Sequence, residues 1–218
     1  MHRRRRTALS FSAALLAAAP LLTACGSDAH PGAAAVVGGQ RIEVSALQAQ
    51  VREVRTAQEA SQESAQLIKN TGQLNQIKLN NMIFDRILRR AADDAGVTTS
   101  RKEIQTTRQQ AAAQSGGEKQ LAMMLLQQRA FAPGQIDSAI GRDVLLGKLA
   151  QALGTDVSTP QGVQAFLAAL TRTSEKLGVD VNPRYGSWNY QQVTLGEAET
   201  PWIKQVTVQA PQQEPSDA

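Results

Sequence analysis

The chain has 218 residues, 42% of them hydrophobic but only 4% aromatic, with 23 basic against 19 acidic side chains and two histidines. Four of the basic residues, Arg3 to Arg6, lie in residues 1–24, which hold no acid, so the chain from Cys25 onward is formally neutral at 19 against 19. That balance removes nucleic acid as a partner, and a single cysteine excludes a disulfide within the chain.

The N-terminus has three parts: the Arg3–Arg6 cluster, an apolar stretch around Leu15 to Leu22 broken by Pro20, and then Leu22-Thr23-Ala24-Cys25. This is the layout of a secretory signal over residues 1–24, too short to span a bilayer. The closing Ala24-Cys25 resembles the lipobox of bacterial lipoproteins. That resemblance implies cleavage before Cys25, a diacylglycerol on its thiol, often an acyl group such as palmitate on the new N-terminus, and a place on the extracytoplasmic face of a membrane. Residues 25–34 read as a lipidated flexible spacer.

Beyond the spacer, Ala35-Val36-Val37 predicts a strand, Gly38-Gly39 a turn and Arg41-Ile42 a return strand. Ser45 is placed to cap a helix carrying Leu47, Val51 and Val54 at i, i+4, i+7. From there to Leu67-Ile68 the pattern thins and fits either an exposed helix or a mobile arm. Leu74 to Ala95 is the strongest helical run, with Ile77, Met82, Ile83, Phe84, Ile87, Leu88 and Ala91 on a broad apolar face and Gly96 as its stop. Ser100 and Glu103 spell a capping box for the next helix, which Ser115-Gly116-Gly117 breaks.

Leu121, Met124 and Leu125 then mark a helix over 118–129, and Phe131-Ala132-Pro133-Gly134 turns into another with Ile136, Ile140, Val144, Leu145 and Leu149 on one face. Thr159 and Pro160 open a helix striped by Val163, Phe166, Leu167, Leu170 and Leu177. Tyr185 to Tyr190 and Gln191 to Leu195 predict a turn leading to one strand, and residues 196–218 a disordered tail in which Trp202-Ile203 can dock.

Chemistry is restricted by what the body lacks. His2 falls in the signal and His30 in the spacer, so no thiol or imidazole remains for a Cys/His or Ser/His/Asp constellation or for a zinc site of nitrogen and sulfur ligands. No phosphate-binding loop or dinucleotide fingerprint is present. Glu43, Glu53, Glu59, Glu63 and Glu103 are spread singly along helices, as on a solvated face. No catalytic residue, metal or cofactor is expected.

The order of elements carries a further signal. The strand Ala35-Val36-Val37-Gly38-Gly39-Gln40-Arg41-Ile42 precedes a helix, and Met82-Ile83-Phe84-Asp85-Arg86-Ile87-Leu88 runs into Ala91 to Val97. The joint Gly96-Val97-Thr98-Thr99-Ser100-Arg101-Lys102-Glu103-Ile104 and the later helix–Phe131-Ala132-Pro133-Gly134–helix unit follow. The set, over roughly Ala35 to Leu153, resembles the chaperone domain of SurA/PrsA-type foldases.

The resemblance implies a mainly α fold over 35–195 with a little β from terminal strands, and a body that cradles unfolded exported polypeptides. Many members also carry a parvulin-type prolyl isomerase module, and the short linker between Leu153 and Pro160 leaves no room for one. The expected function is therefore a lipid-anchored holdase without catalysis. The alternative is a structural adaptor that binds one folded cell-envelope partner. Candidate client-contacting residues are Met123, Met124 and Phe131 together with Tyr185, Trp188 and Tyr190; the last three also fit a role in pinning a terminal strand to the helices. An apolar concavity between the Leu74–Ala95 helix and the Phe131 hairpin favours the holdase, and a filled core there favours the adaptor.

Overall fold

A computed structural model describes residues 31–197. The signal, Cys25, the rest of the spacer up to residue 30 and Trp202-Ile203 lie outside the described residues.

The chain enters as β1 (Ala33–Val37), turns at Gly38-Gly39 and returns as β2 (Gln40–Glu43), with Val37 opposite Gln40. Both glycines have positive φ, +58° and +74°, which matches the two-residue hairpin turn. β1 begins two residues earlier than the spacer reading placed it. Ala33 and Ala34 are fully buried, so small side chains rather than Val set its start.

α1 (Val44–Glu59) follows without a break. Its first turn starts ahead of Ser45, and no side chain caps it, so the predicted Ser45 cap is not made. Leu47, Val51 and Val54 are buried as their spacing requires. The thin stretch beyond them is neither an arm nor one helix. It breaks and resumes as α2 (Ser64–Asn70), and the joint is tied by Gln58 and Arg55. Gln58 Nε2 donates to Thr71 Oγ1 at 3.0 Å, and Arg55 donates to Thr71 Oγ1 at 3.0 Å and to the Thr71 carbonyl at 2.9 Å.

α3 (Leu74–Asp94) is the central helix, packing against α1, α6, α7 and β1. α4 (Arg101–Ser115) opens on the predicted capping box. Glu103 N–H donates to Ser100 Oγ at 3.2 Å, and Ser100 N–H donates to Glu103 Oε2 at 2.7 Å. α5 (Glu118–Arg129), α6 (Ile136–Ala152) and α7 (Pro160–Leu177) complete the helices, and Thr159 caps α7 by accepting from Gly162 N–H.

Three short strands close the fold where one was expected. β3 (Val179–Val181) pairs antiparallel with β1, giving a sheet of order β2-β1-β3. β4 (Ser187–Asn189) and β5 (Thr194–Gly196) form a separate hairpin with Trp188 opposite Leu195. Three-residue strands leave too short an alternation to register in sequence.

Two apolar clusters result. The larger joins the three-stranded sheet, α1, α3, α7, the second half of α6 and the aromatic hairpin. The smaller holds Ala112, Leu121, Leu125, Phe131, Ile136, Ala139 and Ile140, so α4, α5 and the first half of α6 form a second lobe. α6 runs through both.

Candidate functional site

The lobes meet at the turn between α5 and α6. Ala130 ends α5 in the left-handed conformation at φ 53°, unusual for alanine, which turns its carbonyl toward α3. Lys78, fully buried in the second turn of α3, donates from Nζ to that carbonyl at 3.0 Å and to Gln135 Oε1 at 2.7 Å. Gln135 in turn donates from Nε2 to Glu53 Oε2 at 2.8 Å and to the Gln50 carbonyl at 3.3 Å, carrying the network to α1. Desolvation, with Arg142 nearby as the second cause, lowers the Lys78 ammonium from an ordinary 10.5 to about 8.

Phe131 is packed under cations. Lys78 Nζ lies 4.5 Å from the ring centroid, and the guanidinium carbons of Arg142 and Arg129 lie at 5.2 and 5.4 Å. Arg142 is held by α3. Its Nε donates to Asp85 Oδ1 at 2.6 Å, its Nη2 to Asp85 Oδ2 at 2.8 Å and its Nη1 to Asn81 Oδ1 at 3.1 Å. The space between α3 and the Phe131 turn is therefore filled, and filled by polar groups with every partner in place.

A concavity lies on the other side of Arg142. α3, the α3–α4 joint, Ile104 and the first half of α6 enclose a groove of about 440 Å³. Leu88, Ala92 and Leu145 are buried at its floor, with Val97 and Ile104 half-buried beside them. Arg89, Asp93, Asp137 and Ser138 are exposed at its edge, and the Asp85–Arg142 pair closes one end. Thr98 and Thr99 border it in non-helical backbone and make no hydrogen bond among the described residues. Such a site offers an apolar floor, free main-chain donors and acceptors, and charges of both signs. It is suited to covering a short apolar stretch of polypeptide.

The six sequence candidates do not converge on this groove. Met123 is 41% exposed on the outer face of α5, and Met124 packs against the smaller cluster. Phe131 is buried in that cluster; Tyr185 and Trp188 are buried in the larger one, with Tyr190 packed against it. Tyr190 pins the chain end, its hydroxyl accepting from Val179 N–H at 3.0 Å and donating to the Val179 carbonyl at 3.2 Å. The residues that sequence reasoning missed are Lys78, Gln135 and Arg142. Lys78 carried a visible signal, since it sits on the apolar stripe between Leu74 and Met82 at i, i+4, i+8. Arg142 carried none, because its partner Asp85 lies 57 positions away.

Among the described residues no group of three or more His, Cys, Asp or Glu is placed to hold a metal ion, and no helix is long and apolar enough to cross a membrane. Comparison with protein families gives a match to the SurA-like N-terminal domain over residues 2–150, which ends inside α6 and leaves α7 and β3 to β5 beyond it. No parvulin module is seen. No curated protein and no solved structure matches the chain.

Proposed function

The chain belongs to the SurA-like N-terminal domain family, whose chaperone domains bind polypeptide substrates or partners, and on that premise we propose that it is an exported, lipid-anchored holdase acting without catalysis. The observation that carries this reading is the groove between α3 and α6, with its apolar floor beside the backbone of Thr98 and Thr99, which makes no hydrogen bond among the described residues. Apolar side chains of an unfolded client are covered by the floor, and its main chain meets the open groups at the border. Binding of this kind is shallow and reversible, which suits holding without an energy source.

The test is aggregation of an unfolded secreted protein in the presence of soluble protein lacking Cys25. Suppression near stoichiometric ratios is expected, and no suppression at any ratio would sink the reading. Membrane attachment through Cys25 is tested separately by the mass of the protein recovered from a bacterial membrane: an N-terminus at Cys25 carrying diacylglycerol is expected, and an unmodified thiol refutes it.

One observation favours the adaptor. The space between α3 and Phe131 is closed, and the exposed large apolar side chains among the described residues, Met123, Leu153, Val157 and Val163, are scattered across two helices and the loop between α6 and α7. A pull-down dominated by one folded envelope protein decides for the adaptor; a broad set of unfolded clients decides for the holdase. A proline-peptide assay is expected to show no acceleration.

A further inference from the structure

The sheet β2-β1-β3 has an outer edge at β3 that is only half closed. The β1–β3 ladder bonds fall on alternate pairs, as Gly38 N–H to the Gly178 carbonyl at 3.1 Å and Asn182 N–H to the Ala34 carbonyl at 3.0 Å show. That phase turns the N–H and C=O of Val179 and Val181 away from β1. The Tyr190 hydroxyl satisfies both groups of Val179. Those of Val181 have no partner among the described residues, although Val181 is only 9% exposed. Beside this edge is a cleft of about 330 Å³, lined by Val181, Gly186, Ser187 and Trp188. Trp188 is itself 9% exposed, and its Nε1–H is a buried donor without an acceptor among the described residues.

Among the described residues, the Val181 N–H and C=O and the buried Trp188 Nε1–H thus stand unmatched beside one small cleft. Native proteins rarely leave such groups without partners, and a cluster of them marks a place where something else completes the set. We propose that the β3 edge and its cleft form a second client contact, where the main chain of an extended polypeptide segment pairs with Val181 and a carbonyl of that segment accepts from Trp188 Nε1. An extended client main chain supplies an acceptor and a donor at each step along the strand, which is what this edge lacks, and an added strand is a recurring way of capturing unfolded chain. Tyr190 limits the register: it occupies the edge at Val179, so pairing is confined to the Val181 end. The inference rests on the polypeptide-holding reading and places part of that function at a site separate from the α3–α6 groove.

The probe is reduced, carboxymethylated α-lactalbumin, a permanently unfolded protein, added to the chain lacking the signal and Cys25. Hydrogen exchange of the Val181 amide is expected to slow on binding, and Trp188→Phe, which removes the donor and keeps most of the ring, is expected to weaken binding roughly fivefold to tenfold. Binding with unchanged Val181 exchange overturns the edge contact and leaves the holding reading standing. Unchanged affinity in a folded Trp188→Phe protein also overturns it, since Nε1 then takes no part in holding the segment. Absence of any binding removes both readings together. The exchange measurement needs no variant, so it decides even where Trp188→Phe perturbs the fold.

Discussion

The Lys78 ammonium lies 4.5 Å from the centre of the Phe131 ring while donating to the carbonyl of the preceding residue, Ala130. One buried cation thereby fixes both the backbone and the side chain of the turn that joins the two lobes. Lysine suits the place because its long apolar stem packs within α3's buried face and its ammonium reaches the turn with two hydrogen bonds. Lys78→Ala removes the packing and leaves the Ala130 carbonyl without its side-chain donor, so a loss of about 2–4 kcal/mol in urea unfolding is expected. Lys78→Met keeps the stem volume and is expected to lose less.

The same residue predicts an alkaline signature. Desolvation lowers Lys78 from 10.5 to about 8 in the folded chain, so between those values the unfolded state binds more protons than the folded one. Stability from this residue therefore rises with pH across that window. The unfolding free energy of wild type minus that of Lys78→Met should increase from pH 8 to pH 10.5, because other lysines and tyrosines cancel in the difference. A flat or falling difference would show that the ammonium is not desolvated as described.

Asp85 and Arg142 are the second tie across the lobes, and here the two partners are not equivalent. The Arg142 side chain is 9% exposed, whereas that of Asp85 is 25% exposed. Asp85→Ala leaves a nearly buried guanidinium with Asn81 as its remaining hydrogen-bond partner and is expected to cost about 3 kcal/mol. Arg142→Met removes the buried charge and keeps contact with Phe131; it should cost less, despite deleting the larger residue. Equal losses would mean that the pair is solvated.

Much of the helical frame was legible because each signal was local. The Ser100–Glu103 box, the Thr159-Pro160 start and the stripe of α3 all sit within one or two turns of the residues they organise. The hairpin at Gly38-Gly39 was legible for the same reason. What escaped depends on long-range pairing. β3 becomes a strand because β1 offers an edge more than 140 positions earlier, and Lys78 acquires its role from Ala130, 52 positions away. The groove is likewise a product of how α3 and α6 cross. Its floor residues Leu88 and Leu145 read as ordinary core in sequence, and nothing local separates an apolar side chain that faces a groove from one that faces a neighbour.

Gly162 offers a sharp local test of the α7 start. Its amide donates to the Thr159 cap at 3.1 Å, and a Cβ built there would collide with the Asp156 carbonyl, which is backbone and has little freedom to retreat. The Asp156 carbonyl already accepts from Thr159 N–H at 3.0 Å, so moving it breaks the turn that leads into the helix. Gly162→Ala would raise intrinsic helix propensity, yet it is expected to destabilise by about 1–3 kcal/mol through overpacking. A gain in melting temperature would contradict this geometry.

Glu103 predicts behaviour at the acid end. Hydrogen bonds from the Lys148 ammonium and from the Ser100 amide and hydroxyl hold its carboxyl down at about 2, below the ordinary 4.5. A depressed folded value means that its contribution is present above pH 4.5 and is lost as pH falls toward 2. Thermal scans of wild type against Glu103→Gln should differ at pH 6 and converge on acidification. Ser100→Ala, which removes the reciprocal half of the box, is expected to cost about 1 kcal/mol at neutral pH.

Ser138 gives the most direct test of the groove. It is exposed at the edge, on the first half of α6, and makes no side-chain hydrogen bond among the described residues. Ser138→Trp places a large ring against Leu88, Val97 and Ile104 without replacing any member of either apolar cluster. A surface change of this kind is expected to alter stability by no more than about 0.5 kcal/mol. If the groove holds polypeptide, suppression of aggregation should fall several-fold at unchanged melting temperature. Full suppression by a stably folded Ser138→Trp protein would exclude the groove as the holding surface, and with the β3 edge tested independently by Val181 exchange, the two outcomes separate which face of the molecule does the holding.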